Sequence, residues 1–106
     1  MLTSKGGAVD FATVNRGALS RLPDILRRWL PGGRIEGHEY VVRNPKRHDH
    51  RSGSFKINIE TGRWADFATG DKGGDPISLA AYLFGLRQVE AAQRLTEMLG
   101  LTDGGG

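Results

Sequence analysis

Residues 54–67, SFKINIETGRWADF, determine the predicted fold because they have the pattern of a β-hairpin. In the first half, polar residues alternate with the apolar residues Phe55, Ile57 and Ile59, which is the period-two pattern of a strand with one buried face. Thr61-Gly62 supplies a turn, and residues 63–67 return as the partner strand. The segment therefore predicts the centre of a small antiparallel sheet.

One strand and one helix are predicted on the N-terminal side of this hairpin. The run Tyr40 to Val42 favours a short strand. Upstream of it, a helix is predicted to begin with Ser20 as its N-cap and to end at Pro31-Gly32-Gly33. Its apolar residues recur at three- and four-residue steps and share one face: Leu22, Ile25, Leu26, Trp29 and Leu30.

Two further helices are predicted on the C-terminal side. The first begins at Asp75, as N-cap before Pro76, and ends at Gly85. Its apolar stripe is formed by Ile77, Ala80, Ala81 and Phe84. The second runs from Gln88 to Leu99 and stops at Gly100. Its apolar side carries Val89, Ala92, Leu95, Met98 and Leu99.

These elements predict an α+β fold, in which a small antiparallel sheet with a central hairpin packs against one N-terminal and two C-terminal helices. Residues 11–101 are expected to form the domain, with residues 1–10 as a flexible arm and residues 102–106 as a flexible tail or linker. In this arrangement the apolar residues of the first hairpin strand face the helices that carry Ile77, Phe84, Leu95 and Leu99.

The composition excludes several classes of protein. The chain has 106 residues and no cysteine, which excludes disulfides, thiol nucleophiles and zinc sites built on cysteine. No apolar run approaches the ~20 residues that a membrane helix needs, and the N-terminus has no apolar stretch typical of a secretion signal. We therefore expect a single domain in the cytoplasm.

Charge is distributed unevenly along the chain. From Arg16 to Arg63 there are eleven Lys and Arg residues and five Asp and Glu residues, whereas from Trp64 onwards there are three and six. A net charge of +3 therefore conceals a basic first half. Such an uneven distribution is typical of proteins that bind a polyanion, and it is also compatible with a solvated basic surface.

The segment from Asn44 to Gly100 resembles the N-terminal zinc-binding domain of bacterial and phage DNA primases. In that family a Cys-Pro-x-His pair precedes a Ser-Phe at the start of a hairpin strand. An aromatic residue, a Cys-x-x-Cys-Gly knuckle, a Gly-Asp pair and a final Glu-Ala helix follow. The matching positions here are Asn44-Pro45, His48, Ser54-Phe55, Trp64, Asp66, Thr69-Gly70, Gly74-Asp75 and Glu90-Ala91.

All three cysteine positions of the family are occupied by other residues, so the sequence is similar to a zinc-ribbon-like primase domain without metal. Asn44, His48, Asp66 and Thr69 stand at the degenerate ligand positions. The resemblance implies recognition of single-stranded template DNA beside a catalytic primase domain located elsewhere. It also implies a primase or helicase–primase type replication protein of a phage or other mobile element.

No cofactor is expected, zinc included. His48, His50 and Asp66 are chemically acceptable zinc ligands, and a metal held by these three stays an open alternative. However, Arg47 and Arg51 flank the two histidines and repel a cation.

A structural role is the preferred interpretation of the degenerate ligand positions. We expect Asp66 to accept hydrogen bonds from backbone N–H groups of the turn that follows it, or to pair with Arg43 or Arg47. Such a carboxylate bridge would hold together the two segments that carry the degenerate ligand positions. Asn44 is expected to hold its own turn by side-chain-to-backbone bonds.

The candidate DNA-binding residues combine cations with one aromatic residue around the hairpin. Single-strand binders use a basic groove together with aromatic rings on which bases stack. Trp64 is such an aromatic, although a Trp in so small a domain is more often part of the core. The complete set is Arg43, Lys46, Arg47, Arg51, Lys56, Arg63 and Trp64.

The sequence therefore predicts a domain that binds single-stranded DNA and belongs to a replication protein. The alternative is a protein–protein interaction domain of a replication complex, without direct DNA contact. No catalytic residue is predicted, and this chain by itself is not expected to be an enzyme. Further domains of the same polypeptide or other replication proteins are the expected partners, and no membrane is.

Overall fold

The fold is α+β, with four helices and one five-stranded antiparallel sheet in the part of the chain that the structure describes. The structure is a computed structural model, and it describes residues 10–46 and 54–100. In chain order the elements are α1 (Phe11–Ser20), α2 (Leu22–Trp29), β1 (Arg34–Glu36), β2 (Glu39–Val42), β3 (Phe55–Asn58), β4 (Trp64–Asp66), β5 (Lys72–Gly73), α3 (Pro76–Phe84) and α4 (Gln88–Leu99). The strands are adjacent in sequence order from β1 to β5.

The predicted hairpin forms the middle of the sheet. Strands β3 and β4 pair in register, with Phe55 opposite Asp66 and Ile57 opposite Trp64. Asn58 builds the turn between them, since its Oδ1 accepts hydrogen bonds from the backbone N–H groups of Glu60 and Thr61 at 2.8 and 3.0 Å. The hairpin prediction is confirmed, although Ile59 lies just beyond β3 and is only partly buried.

Strand β2 joins the hairpin on its β3 side and places Tyr40 opposite Ile57. The Tyr40 hydroxyl is buried and donates a hydrogen bond to the backbone oxygen of Leu30 at 2.7 Å, which connects the sheet to the end of α2. This contact requires a glycine at position 33, because a Cβ atom there would lie 2.5 Å from the Tyr40 ring.

Helices α3 and α4 begin and end where the sequence predicts. The Asp75 side chain caps α3 by accepting a hydrogen bond from the backbone N–H of Ser78 at 2.8 Å. Gly85 ends that helix in the left-handed conformation, with φ of 66°. Helix α4 starts after Arg87, whose N–H donates to the Glu90 carboxylate at 2.9 Å, and ends at Gly100.

Helix α1 is not predicted by the sequence pattern. Asp10, which the sequence analysis places in the arm, caps this helix by accepting hydrogen bonds from the N–H groups of Ala12 and Thr13. Only Val14 and Ala18 are buried, so the apolar face is too narrow for the periodicity to show. The rest of the predicted arm and the predicted tail, residues 102–106, lie outside the described residues.

The prediction that Ser20 is the N-cap of α2 is wrong. Ser20 is the last residue of α1, and its hydroxyl donates to the backbone oxygen of Gly17 at 2.7 Å. Arg21 occupies the N-cap position of α2 without a side-chain cap. The two helices follow each other so closely that the predicted cap falls inside the preceding helix.

The core lies between one face of the sheet and the helices. Phe55, Ile57 and Ile77 are fully buried there, and Leu95 is 1% exposed. The prediction that Phe84 faces the core is wrong, because this residue is 52% exposed. Its ring forms a T-shaped contact with the ring of Trp29, with centroids 5.4 Å apart. It lies at the last position of α3, beyond the part of the helix that the core covers.

Candidate nucleic-acid interface

The register of the sheet separates an inner face from an outer face. Residues paired across neighbouring antiparallel strands lie on the same face, and successive residues of one strand alternate between faces. The inner face carries Tyr40, Phe55, Ile57 and Trp64. The outer face carries a row of paired residues that crosses all five strands: Arg34, Val41, Lys56, Ala65 and Lys72.

A groove of about 660 Å³ lies on the outer face, over strands β3 to β5. The groove is open in the middle because Ala65, on the floor between Lys56 and Lys72, has a small side chain. Its lining residues are Glu39, Lys56, Asn58, Arg63, Trp64, Ala65, Phe67, Lys72, Gly73 and Gly74.

Three cations and one carboxylate face this groove. Lys56 is half-buried, and its Nζ lies 3.9 Å from the Glu39 carboxylate, a partly exposed contact that contributes little to stability. Arg63 and Lys72 are exposed, and neither makes an ion pair with another described residue. Two of the three cations are therefore available for an anion.

Phe67 is the exposed aromatic residue at one end of the groove. Its side chain is 70% exposed, and the Nζ atom of Lys56 lies 5.8 Å from the centre of its ring. It follows β4 directly, and its N–H donates a hydrogen bond to the backbone oxygen of Ser54 at 2.8 Å. This bond continues the β3–β4 ladder and fixes the residue on the outer face, two positions beyond Ala65.

Trp64, the aromatic residue that the sequence analysis proposes for base stacking, lies in the core. It is 5% exposed, and its indole Nε1 donates a hydrogen bond to the Ser78 hydroxyl at 2.9 Å. Its ring contacts Phe55 edge-on at 6.1 Å and lies 4.7 Å from the ring of Tyr82. A base cannot stack on a ring enclosed in this way, so the core alternative is the correct one for Trp64.

The other predicted DNA-binding residues do not all meet in one place. Lys56 and Arg63 line the groove, whereas Arg43 and Lys46 are exposed residues outside its lining. The Nζ atom of Lys46 lies 5.1 Å from the ring of Tyr82 instead. The remaining predicted residues, Arg47 and Arg51, lie outside the described residues, as do His48 and His50.

Asn44 and Asp66 form a buried hydrogen bond that ties two loops together. Both residues are fully buried, and Asn44 Nδ2 donates to Asp66 Oδ2 at 2.8 Å. Asp66 Oδ1 accepts a hydrogen bond from the N–H of Ala68 at 2.8 Å, in the turn that follows it, and Asn44 Oδ1 accepts one from the N–H of Lys46 at 2.9 Å. The expected bonds of both side chains to their own turns are thus present, and the two turns are also joined directly.

Tyr82 extends this network towards the surface. Its hydroxyl accepts a hydrogen bond from Asn44 Nδ2 at 2.9 Å and donates one to the Asp71 carboxylate at 2.8 Å. Burial raises the pKa of the Tyr82 hydroxyl, the hydrogen bond from Asn44 opposes this shift, and the nearby Asp71 carboxylate adds to it. The neutral phenol is therefore the form that the folded state favours.

Thr69, the fourth degenerate ligand position, contacts this network through backbone groups of Asp66 and Asp71, and its N–H donates to the Asp66 backbone oxygen at 3.3 Å. It is exposed, and its hydroxyl accepts a hydrogen bond from the N–H of Asp71 at 3.2 Å. Over residues 10–46 and 54–100, no three His, Cys, Asp or Glu side chains are grouped so that they could hold a metal ion. A site that includes His48 and His50 stays a prediction, since both lie outside these ranges.

Phe67 and Lys72 line the groove but are not among the binding residues predicted from the sequence. The alternation of Arg63, Ala65 and Phe67 with the buried Trp64 and Asp66 contains the missing signal for Phe67. Lys72 gave no such signal, because β5 has only two residues and lies in a glycine-rich segment.

No helix among the described residues is long and apolar enough to cross a membrane. Comparison of the chain with protein-family models and with curated proteins finds no match. The resemblance to primase domains therefore stays a prediction from the sequence.

Proposed function

We propose that this domain binds single-stranded DNA on the outer face of its sheet, as the non-catalytic, cytoplasmic part of a primase or helicase–primase type replication protein. The observation that carries the proposal is the groove in which Lys56, Arg63 and Lys72 surround the small floor residue Ala65. A groove with this charge matches the phosphate backbone of a nucleic acid.

The position of the cations supports a polyanion as the ligand. Lys56 and Lys72 flank Ala65 from the two neighbouring strands, and Arg63 lies two residues before Ala65, directly before the start of β4. Strands are spaced ~4.8 Å apart, so the two lysine backbones lie about 10 Å from each other across the groove. The three charges are therefore spread over the groove, as a chain of several phosphates requires, instead of converging on one point.

The test is the salt dependence of binding to a single-stranded oligothymidylate. Changing Lys56 and Arg63 together to Ala is expected to weaken binding and to reduce the slope of log K against log salt by about 0.7 for each lost phosphate contact. Stability should change little, because Arg63 is exposed and Lys56 makes a long ion pair with Glu39 and a contact with the exposed ring of Phe67.

The matched control removes the same charge from the helices. Arg28 and Arg94 are exposed residues of α2 and α4, so the double change of these two to Ala lowers the net charge equally, away from the groove. It is expected to leave the salt slope close to that of the parent. Equal affinity and equal slope for the groove variant and the parent would show that this face is not the site.

The second candidate is a protein–protein interaction domain of a replication complex. Phe84 favours it, because an aromatic ring 52% exposed beside Trp29 is an apolar surface that a partner protein could cover. The same titration separates the two candidates. A parent protein that binds no single-stranded DNA at low salt would refute the first and leave the second.

A further inference from the structure

We infer that Phe67 stacks on an unpaired base and thereby makes the outer-face groove select single strands over duplex. This inference rests on the proposed function and assigns to Phe67 the role that the sequence analysis gave to Trp64. The ligand property that Phe67 would recognise is an exposed base face, which the cations of the groove do not contact.

Phe67 is the most exposed of the large apolar side chains in the described part of the chain. It is 70% exposed, against 37%, 42% and 52% for Phe11, Ile35 and Phe84. A ring so far out of the core contributes little to folding, because most of its surface stays in water. Its location in a charged groove, and not on an apolar surface, favours a ligand that has both flat aromatic groups and negative charge.

The geometry of the chain around β4 also fits a stacked base. Arg63, Ala65 and Phe67 alternate on the outer face, so the cation and the ring lie at opposite ends of one line with the small alanine between them. At ~3.4 Å per residue the backbones of Arg63 and Phe67 are about 14 Å apart, which is longer than a single nucleotide step of ~3.4 Å in a stacked strand. A base on Phe67 therefore leaves room for its backbone to continue over Ala65 to Arg63.

A cation lies over the same ring. Lys56 Nζ lies over the Phe67 ring, 5.8 Å from its centre, so a base that stacks on this face displaces the ammonium group, which then pairs with the phosphate of that nucleotide. Aromatic stacking and a neighbouring cation are the two elements of single-strand binding sites. In duplex DNA both faces of each base are covered by neighbouring bases, so a duplex can use the cations but not the ring.

The experiment compares Phe67→Ala, Phe67→Leu and Phe67→Trp with Phe84→Ala as the control for loss of an exposed phenyl ring. Phe67→Ala is expected to weaken binding of oligothymidylate about 5- to 150-fold, as the loss of one stacked base predicts, and to leave duplex affinity and the salt slope unchanged. Phe67→Leu should lose most of the same affinity because it keeps bulk without an aromatic face. Phe84→Ala should bind like the parent.

Phe67→Trp supplies a direct signal of stacking. It is expected to retain affinity, and its added indole fluorescence should be quenched by oligothymidylate and not by an equal concentration of duplex. Trp64 is buried and contributes little to such a change. Denaturation curves that match the parent would confirm that the variants fold.

The outcomes separate this inference from the proposed function. If the parent binds oligothymidylate and Phe67→Ala binds equally well, Phe67 is not the stacking residue and the basic groove alone is the site. If Phe67→Ala weakens single-strand and duplex binding by the same factor, the ring does not select single strands. If the parent does not bind, the proposed function is refuted and this inference with it.

Discussion

Changing Asn44 to Ala is expected to destabilise the domain by about 2–4 kcal/mol, which is large for a polar substitution. The side chain is fully buried and makes three hydrogen bonds, to Asp66, Tyr82 and the backbone N–H of Lys46. Each bond contributes about 0.5–1.5 kcal/mol, and a buried oxygen of Asp66 also loses a donor that water cannot easily replace.

The measurement is chemical denaturation of the purified domain, followed by circular dichroism. The midpoint should fall with little change in the slope of the free energy against denaturant, since the surface exposed on unfolding stays the same. Asn58→Ala is the matched control. It removes two side-chain hydrogen bonds of an exposed turn, whose N–H groups water can satisfy, and should cost about 1 kcal/mol or less.

A double-mutant cycle with Asp66→Ala isolates the bond between the two side chains. We expect a coupling free energy of about 0.5–3 kcal/mol between positions 44 and 66. If Asn44→Ala costs no more than Asn58→Ala, or if the two changes at positions 44 and 66 are additive, the proposed role of this bond as the tie between the two loops is wrong.

Three further predictions concern the core, the pH dependence and metal. Ile57→Ala should destabilise the domain by about 2–5 kcal/mol in the same denaturation assay, because Ile57 is fully buried; a loss below about 1 kcal/mol would contradict its place in the core. The folded state raises the pKa of the Tyr82 hydroxyl above its ordinary value of 10.0. The neutral hydroxyl therefore contributes stability that is complete while the pH is below this ordinary value and is lost as the pH rises through the raised pKa. Tyr82→Phe should therefore lose less stability than the parent on alkaline titration, and an identical loss in both proteins would refute this. The purified protein should contain no stoichiometric zinc and should keep its melting temperature in EDTA, because the chain has no cysteine; one tightly held zinc per chain in elemental analysis would overturn the expectation.

The parts of the fold that the sequence predicts are those with a strong local signal. The alternation from Phe55 to Ile57 identifies β3, and the Asp75-Pro76 pair identifies the start of α3 within one residue. Both signals lie in a few adjacent residues. They are therefore readable without knowledge of what packs against them.

The missed elements depend on tertiary contacts. Helix α1 contains Asn15 and Gly17, which disfavour helix in isolation, and it is held by packing against α3 and α4. The Asn15 side chain accepts a hydrogen bond from the N–H of Ile77, so α1 also contributes to the start of α3. Strand β5 exists because β4 offers a free edge to Lys72 and Gly73. The residues that pack against these elements are distant in the sequence, so a short sequence segment does not contain them.

The residues of the candidate site also divide into those predicted from a local sequence pattern and those that depend on tertiary contacts. Lys56 and Arg63 are predicted from the polar face of the hairpin, and the structure places both in the groove. Trp64 is buried and Phe67 is exposed because the buried face continues from β3 to β4 through register, which places position 64 opposite Ile57. The alternation of buried and exposed positions continues from β3 into β4 and determines which of the two aromatic rings is exposed to solvent.

Gly73 and Trp64 restrict each other's replacement during evolution. A Cβ atom at position 73 would lie 2.6 Å from Cε2 of the Trp64 indole and 2.5 Å from the Ser78 hydroxyl oxygen. Any side chain at position 73 therefore displaces the indole or the serine that accepts its hydrogen bond. We expect the two positions to covary among related sequences, with a larger residue at 73 found only where position 64 has become smaller. A lineage that keeps the tryptophan cannot change this glycine in one step, so the order of the two substitutions is set by the space between β4 and β5.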